Sequence, residues 1–358
     1  MKRRHEHGPS RRRPAAFGRQ PVAGWLFVLP VVVILGVFLF LPVLVAGWVS
    51  VSDWTGNGSP LSPGVHFVGM RNYRDFLTQP GLSQKDFGTA IRNNLYYVVL
   101  SVPLVTSLAL CLALIVNKRR KGVGIFRTAF YFPSVTSSVA MTVIFLFLFN
   151  TTGAVNQLLG MLSLNGPSWM ADSRGIVQVV AGAFGAGDGP KSLVGSGFWG
   201  LTWWDWLSGP SVAMCVFILM AAFAASGTFM LIFLAGLQQI PQELEEAALV
   251  DGATPWRRFW TVTLPLLRPT LFTVLTLCLI GSWQVFDQIY TGSQGNPAKT
   301  TLTPAYLSYD WSFLSGAWGR GAALSFILFG IIVLFTLAQR LLLSDRGDGA
   351  RRTFFNLR

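Results

Sequence analysis

The stretch QIPQELEEAALVDGATPWRRFWTVTLP, residues 239–265, decides how the whole chain is read. It lies between two long apolar runs and is written as two short helices with a sharp break. Pro241 suits a first helical turn, where its missing N–H is not needed. Glu243, Glu245 and Glu246 follow near the positive end of that helix. Asp251-Gly252 is a stop, because glycine tolerates the left-handed conformation that ends helices. Thr254-Pro255 then reads as an N-cap and first position of a second helix. Ala247 and Ala248 leave a smooth face that another backbone can approach. A plain hairpin joining two apolar runs is the bland alternative, but a tether has no use for this much amphipathic, small-residue detail.

Outward from this stretch the chain is a membrane protein by composition. Of its 358 residues, 52% are hydrophobic and 12% charged, about half the charged fraction of an ordinary soluble domain. A spanning helix takes roughly 20 mostly apolar residues. Six segments qualify: Trp25–Val49, Ile91–Val116, Phe126–Phe149, Val212–Leu237, Leu266–Tyr290 and Ala322–Leu343. The fold class expected is an all-α integral membrane protein with about six transmembrane helices. The first apolar run is too long for a cleaved signal peptide.

The net charge of +13 argues for topology and anionic lipid rather than nucleic acid, because the basic residues flank the apolar runs. Seven Lys and Arg fall in residues 1–21, five in 117–127, three in 238–268 and five from Arg340 onward; the other side holds eight. That split puts both termini and the 238–265 connection in the cytoplasm. Residues 1–21 are then a basic tail, 22–50 the first transmembrane helix, 51–90 an extracytoplasmic segment, 91–343 a core with the remaining spans and 344–358 a second tail. Within the core, about 167–203 is an outer insertion. Its run Ile176–Ala186 is too short to cross, and Trp199, Trp203, Trp204 and Trp206 fit a membrane–water boundary.

Catalytic and metal chemistry find no support. Cys111, Cys215 and Cys278 each sit inside an apolar run and read as small buried hydrophobes. His5, His7 and His66 lie outside the spans. A P-loop needs a Gly-Lys dipeptide to cradle phosphates, and the sequence has none. The expectation is therefore a protein that is not an enzyme, with no metal and no cofactor of its own.

Glu246-Ala247-Ala248, Gly252 and Val262-Thr263-Leu264-Pro265, at this spacing, resemble the EAA loop of binding-protein-dependent ABC importers, with Val262 where the family pattern has Ile. Phe67-Val68-Gly69-Met70-Arg71-Asn72-Tyr73 is similar to a segment after the first span of the sugar-type permeases. Asn93-Asn94 sits where that group usually has Asn-Thr, and Ile232 through Pro241 looks like the approach to the loop in maltose and glycerol-phosphate type permeases. The resemblance covers about residues 22–343.

It implies a type I ABC importer permease fold and a division of labour. The loop 238–265 would be a coupling helix that docks in a cleft of a separate ATPase subunit, which uses the ATP. Glu246 would make the polar contact, Gly252 would permit the turn, and Ala247, Ala248 and Ala253 would pack against the partner, with Asp251, Leu264 and Pro265 completing the motif. A second permease subunit and an extracytoplasmic solute-binding protein are implied as partners, in the cytoplasmic membrane of a bacterium. The function expected is translocation of a carbohydrate-like solute. A secondary transporter or channel for small polar solutes is the alternative, and it predicts ionisable groups deep in several spans.

Polar groups in a span default to a pathway hypothesis. Trp283, Gln284, Asp287 and Tyr290 are the candidates. On a continuous helix Trp283, Asp287 and Tyr290 share one face, at i, i+4 and i+7. An aromatic ring beside a carboxylate suits a sugar, whose apolar face stacks on indole while its hydroxyls donate to Asp. Interfacial anchors plus a helix-end carboxylate are the alternative.

Overall fold

The structure is a computed structural model that describes residues 21–118, 121–183 and 190–344. The basic tail with His5 and His7, the end of the 176–186 run and the C-terminal tail lie outside the described residues. The chain divides into two units, residues 1–48 and 49–358.

The first unit holds α1 (Pro21–Leu35), a π turn at Gly36–Phe40 and most of α2 (Leu41–Ser50). The run Gly24–Ser50 has 27 residues; at about 1.5 Å per residue it is long enough to cross a bilayer with some tilt. It is apolar on every face, as a lipid-facing helix must be.

The second unit begins with α3 (Arg71–Leu77) and α4 (Leu82–Val116). Helix α4 starts nine residues before the expected Ile91. Lys85 and Asp86 make this extension invisible to hydropathy, yet it is held in place. Asp86 pairs with Lys299 Nζ at 2.7 Å. The expected third span is not one straight helix: α5 (Val123–Val135) and α6 (Ser138–Leu148) meet at 96°. Thr136 and Ser137 are extended, with ψ of 140° and 135°. Pro133 offers no N–H to the ladder, and Ser134 Oγ donates to the Tyr131 carbonyl at 2.6 Å. Both weaken the helix at this point.

The outer insertion contains α7 (Ala154–Met161), α8 (Ile176–Ala183), α9 (Lys191–Val194), the hairpin β1 (Gly197–Phe198) and β2 (Leu201–Thr202), and α10 (Trp203–Leu207). The four tryptophans expected at a membrane boundary divide here. Trp199 packs edge-on to Phe87 at 4.9 Å and donates its indole N–H to the Leu77 carbonyl at 3.2 Å. Trp206 donates to the Phe198 carbonyl at 3.4 Å. These two latch the hairpin to the protein, whereas Trp203 stays exposed.

Helix α11 (Val212–Gln238), capped by Ser211 Oγ on the Met214 N–H at 3.0 Å, is the hub of the second unit and packs on α4 and α5. A Cβ built on Gly227 would lie 2.5 Å from the Phe130 carbonyl oxygen, so this glycine sets how closely α11 and α5 approach. The chain continues through α12 (Gln242–Val250), α13 (Pro255–Arg258), a π turn at Phe259–Thr263 and α14 (Leu264–Leu266). Helices α15 (Arg268–Trp283), α16 (Asp287–Gly292), α17 (Pro304–Tyr309) and α18 (Trp318–Ser344) complete it. One buried cluster centres on Phe76, Phe87, Met214, Phe217 and Ile289, and a second on Ala109, Ala113, Phe233 and Leu267. Among the described residues five helices are long and apolar enough to cross a membrane, or six if the bent α5–α6 pair is one span.

Candidate functional site

Two places collect the residues singled out from the sequence. The first is the elbow at 238–265. Helix α11 ends at Gln238, and Pro241 takes an extended conformation (φ −59°, ψ 132°) just before α12 rather than inside its first turn. Helix α12 ends on Gly252, whose φ of +73° is the left-handed stop. The Gly252 N–H reaches the Leu249 carbonyl at 3.0 Å and the Ala253 N–H that of Ala248 at 2.9 Å, so the last carbonyls of the helix are satisfied. Thr254 Oγ1 caps α13 by accepting from the Arg257 N–H at 3.3 Å, with Pro255 at the first position.

The elbow presents apolar surface. Leu244 and Leu249 are about half exposed, Val250 is 87% exposed and Trp256 71%. Glu246, Ala247, Asp251 and Gly252 are exposed, while Ala248, Ala253, Leu264 and Pro265 are half-buried. A Cβ built on Gly252 would meet nothing within 4 Å. Space around this turn is thus open, and its demand for glycine comes from the backbone alone.

The second place is a pair of adjoining clefts of about 330 and 350 Å³, which share Ser138, Ala224, Ala225, Phe229 and Gln288. Their walls come from α4, the α5–α6 break, α11 and the interruption between α15 and α16. Two helix breaks therefore face one space. Non-helical backbone at membrane depth is tolerated where it is buried in protein or lines a cavity, and both breaks meet that condition.

Of the four pathway candidates, the structure brings Gln284 and Asp287 together on the cleft wall. It does not bring Trp283 or Tyr290 there. The shared helical face expected for Trp283, Asp287 and Tyr290 is lost because the helix breaks at Gln284–Phe286, where Phe286 adopts φ −134°, ψ −60°. Trp283 is 1% exposed and packs 5.1 Å from Phe335, behind the wall. Tyr290 stacks on Phe286 at 5.5 Å and meets Tyr309 edge-on at 5.1 Å, outside both clefts. Asn150, Thr151 and Thr152 form the turn after α6, where Asn156 and Gln157 donate to the Thr151 and Thr152 carbonyls.

Sequence reasoning missed Ser138 and Thr136 on the cleft, which Thr228 and Gln288 also line. Gln288 Oε1 accepts from the Tyr97 hydroxyl at 3.3 Å. The available signal was a polar group next to a potential helix break. Among the described residues no group of His, Cys, Asp and Glu could hold a metal ion.

Residues 94–346 match the family model described as "Binding-protein-dependent transport system inner membrane component". The chain is 30% identical over 321 residues to the trehalose/maltose transport system permease protein MalF of Thermococcus litoralis, covering 89% of this chain and 92% of that one. It is 29% identical over 323 residues to the lactose transport system permease protein LacF of Rhizobium radiobacter, covering 89% and 93%. Among solved structures it is similar to a bacterial ABC transporter involved in the import of the acidic polysaccharide alginate. The TM-score is 0.68 at 19% identity, with 91% of this chain and 96% of that chain covered; this likeness bears on the fold, which is that of a type I importer permease.

Proposed function

Because the chain belongs to the family of inner membrane components of binding-protein-dependent transport systems, we propose that it is the permease subunit of an ATP-driven importer of a carbohydrate, worked by separate ATPase subunits through the elbow at 238–265. The relatives named for trehalose/maltose and for lactose support the solute class. The observation that carries the coupling role is the elbow itself. It is a short helix, a left-handed glycine and a second helix capped by Thr254, with Leu249, Val250 and Trp256 exposed. Exposed apolar side chains beside a rigid turn suit a partner protein better than water.

In this reading Glu246 makes the polar contact with the ATPase, Ala247, Ala248 and Ala253 give a close-packing face, and Asp251-Gly252 holds the turn. Leu264 and Pro265 lead the movement into α15. The Lys and Arg distribution supports a topology with both termini and the elbow in the cytoplasm and the 167–203 insertion outside, toward a solute-binding protein. Gln284 and Asp287 are exposed on the cleft wall, which suits a solute path completed by a second permease. The chain holds no nucleotide; the ATPases do.

Purification of the tagged chain from its native membrane tests this. An ATPase subunit and a second permease should come with it. Sugar-loaded binding protein should stimulate ATP hydrolysis by the reconstituted complex. Uptake that proceeds in the absence of ATP would contradict the proposal.

A further inference from the structure

Among the described residues lining the two clefts, Asp287 carries the one formal charge. The other polar groups are uncharged hydroxyls and amides, such as Ser134, Ser138, Ser282, Gln284 and Gln288, and the Cys278 thiol. No Lys, Arg or His among the described residues lines either cleft. The helix ends do not change the balance. Helices α5 and α15 bring their negative C-terminal ends to this space, at Ser134 and Gln284. Helices α6 and α16 bring positive N-terminal ends, at Ser138 and Asp287. Each end is worth about half a charge, so the four roughly cancel. The carboxylate is left over. It is exposed, so it reaches whatever occupies the cleft.

We infer that Asp287 makes this cleft a charge filter, which admits neutral saccharides and repels anionic ones such as uronates and sugar phosphates. This rests on the carbohydrate reading above and narrows it. A like charge held about 6 Å away, at an effective dielectric of about 20, weakens binding roughly 100-fold; partial exposure of the cleft lowers that toward 10-fold.

The test uses the assembled transporter in lipid, with Cys111→Ser, Cys215→Ser and Cys278→Ser removing the native thiols and Gln284→Cys placing one on the cleft wall. The probes are cationic and anionic methanethiosulfonates of matched size, with rates normalised to free 2-mercaptoethanol. With Asp287 present, the cationic reagent should be favoured at least 10-fold. Asp287→Asn should bring the ratio close to that of the free thiol, and Asp287→Lys should invert it. A ratio that ignores Asp287→Asn overturns the inference, as does a thiol that reacts with neither reagent, since the cleft is then closed. Uptake of a neutral maltooligosaccharide is followed in parallel with the unsubstituted transporter. A charge preference without uptake of any saccharide would remove the carbohydrate reading and leave the filter standing.

Discussion

Asn94 Nδ2 donates to the main-chain carbonyl of Trp283 at 3.2 Å, joining the middle of α4 to the last residue of α15. The bond sits where the fifth span breaks and satisfies a carbonyl at the end of α15. Beside it, Asn93 Nδ2 reaches the carbonyls of Lys299 at 2.8 Å and Leu302 at 3.0 Å, in the loop that follows α16. Thr303 Oγ1 takes the Val285 carbonyl at 3.0 Å. The interruption that shapes the cleft is thus held by side chains from outside it.

Replacing Asn94 should loosen that wall. Asn94→Leu leaves a buried carbonyl without its donor, at a cost of about 1–3 kcal/mol. The midpoint of thermal unfolding of the purified complex should fall, and transport should fall further than membrane insertion. An unchanged midpoint would mean that the bond does not hold the break.

Close approach at Gly227 gives a second expectation. Ser226 Oγ is tied to the Phe223 carbonyl at 3.3 Å, and a Cβ on Gly227 would collide with backbone of α5. Gly227→Ala has no flexible neighbour to push aside, so it should cost about 1–3 kcal/mol by overpacking. Gly281, on the same cleft but with nothing within 4 Å of a built Cβ, is the control: Gly281→Ala should leave the unfolding midpoint nearly unchanged.

Much of this fold was legible in the sequence, because a bilayer demands roughly 20 apolar residues per span. Helices α11 and α18 begin and end within a few residues of their expected limits. What hydropathy could not see was direction. It averages across Thr136-Ser137 and across Gln284–Phe286, so both breaks read as continuous helix. The expected face of Trp283, Asp287 and Tyr290 failed for that reason. The elbow was better written, since Gly252 and Thr254-Pro255 are local signals whose geometry depends little on the rest of the chain; only Pro241 falls one position earlier than expected, before α12. The outer start of α4 was missed because Lys85 and Asp86 are polar, although Asp86 is paired with Lys299.

A pH dependence follows from Asp310, the first residue of the π turn Asp310–Leu314 that follows α17. Burial raises its pKa from the ordinary carboxylate value; Lys299 opposes the rise and Asp86 adds to it. A raised carboxylate pKa means that the folded state disfavours the charged form. The penalty is present at neutral pH and fades as pH falls through the raised value. Asp310→Asn should therefore raise the unfolding midpoint at pH 7, and the gain should shrink at pH 4. A gain that is larger at pH 4 would contradict the assignment.

The elbow carries the central claim. Val250 is its most exposed apolar side chain, two residues from the left-handed Gly252. A photo-crosslinking residue at position 250, in whole cells, reports directly on its neighbour. The expected adduct joins the chain to an ATPase subunit and changes in yield when ATP hydrolysis is blocked. An adduct with the extracytoplasmic binding protein, or none with any nucleotide-hydrolysing subunit, would contradict the proposed coupling.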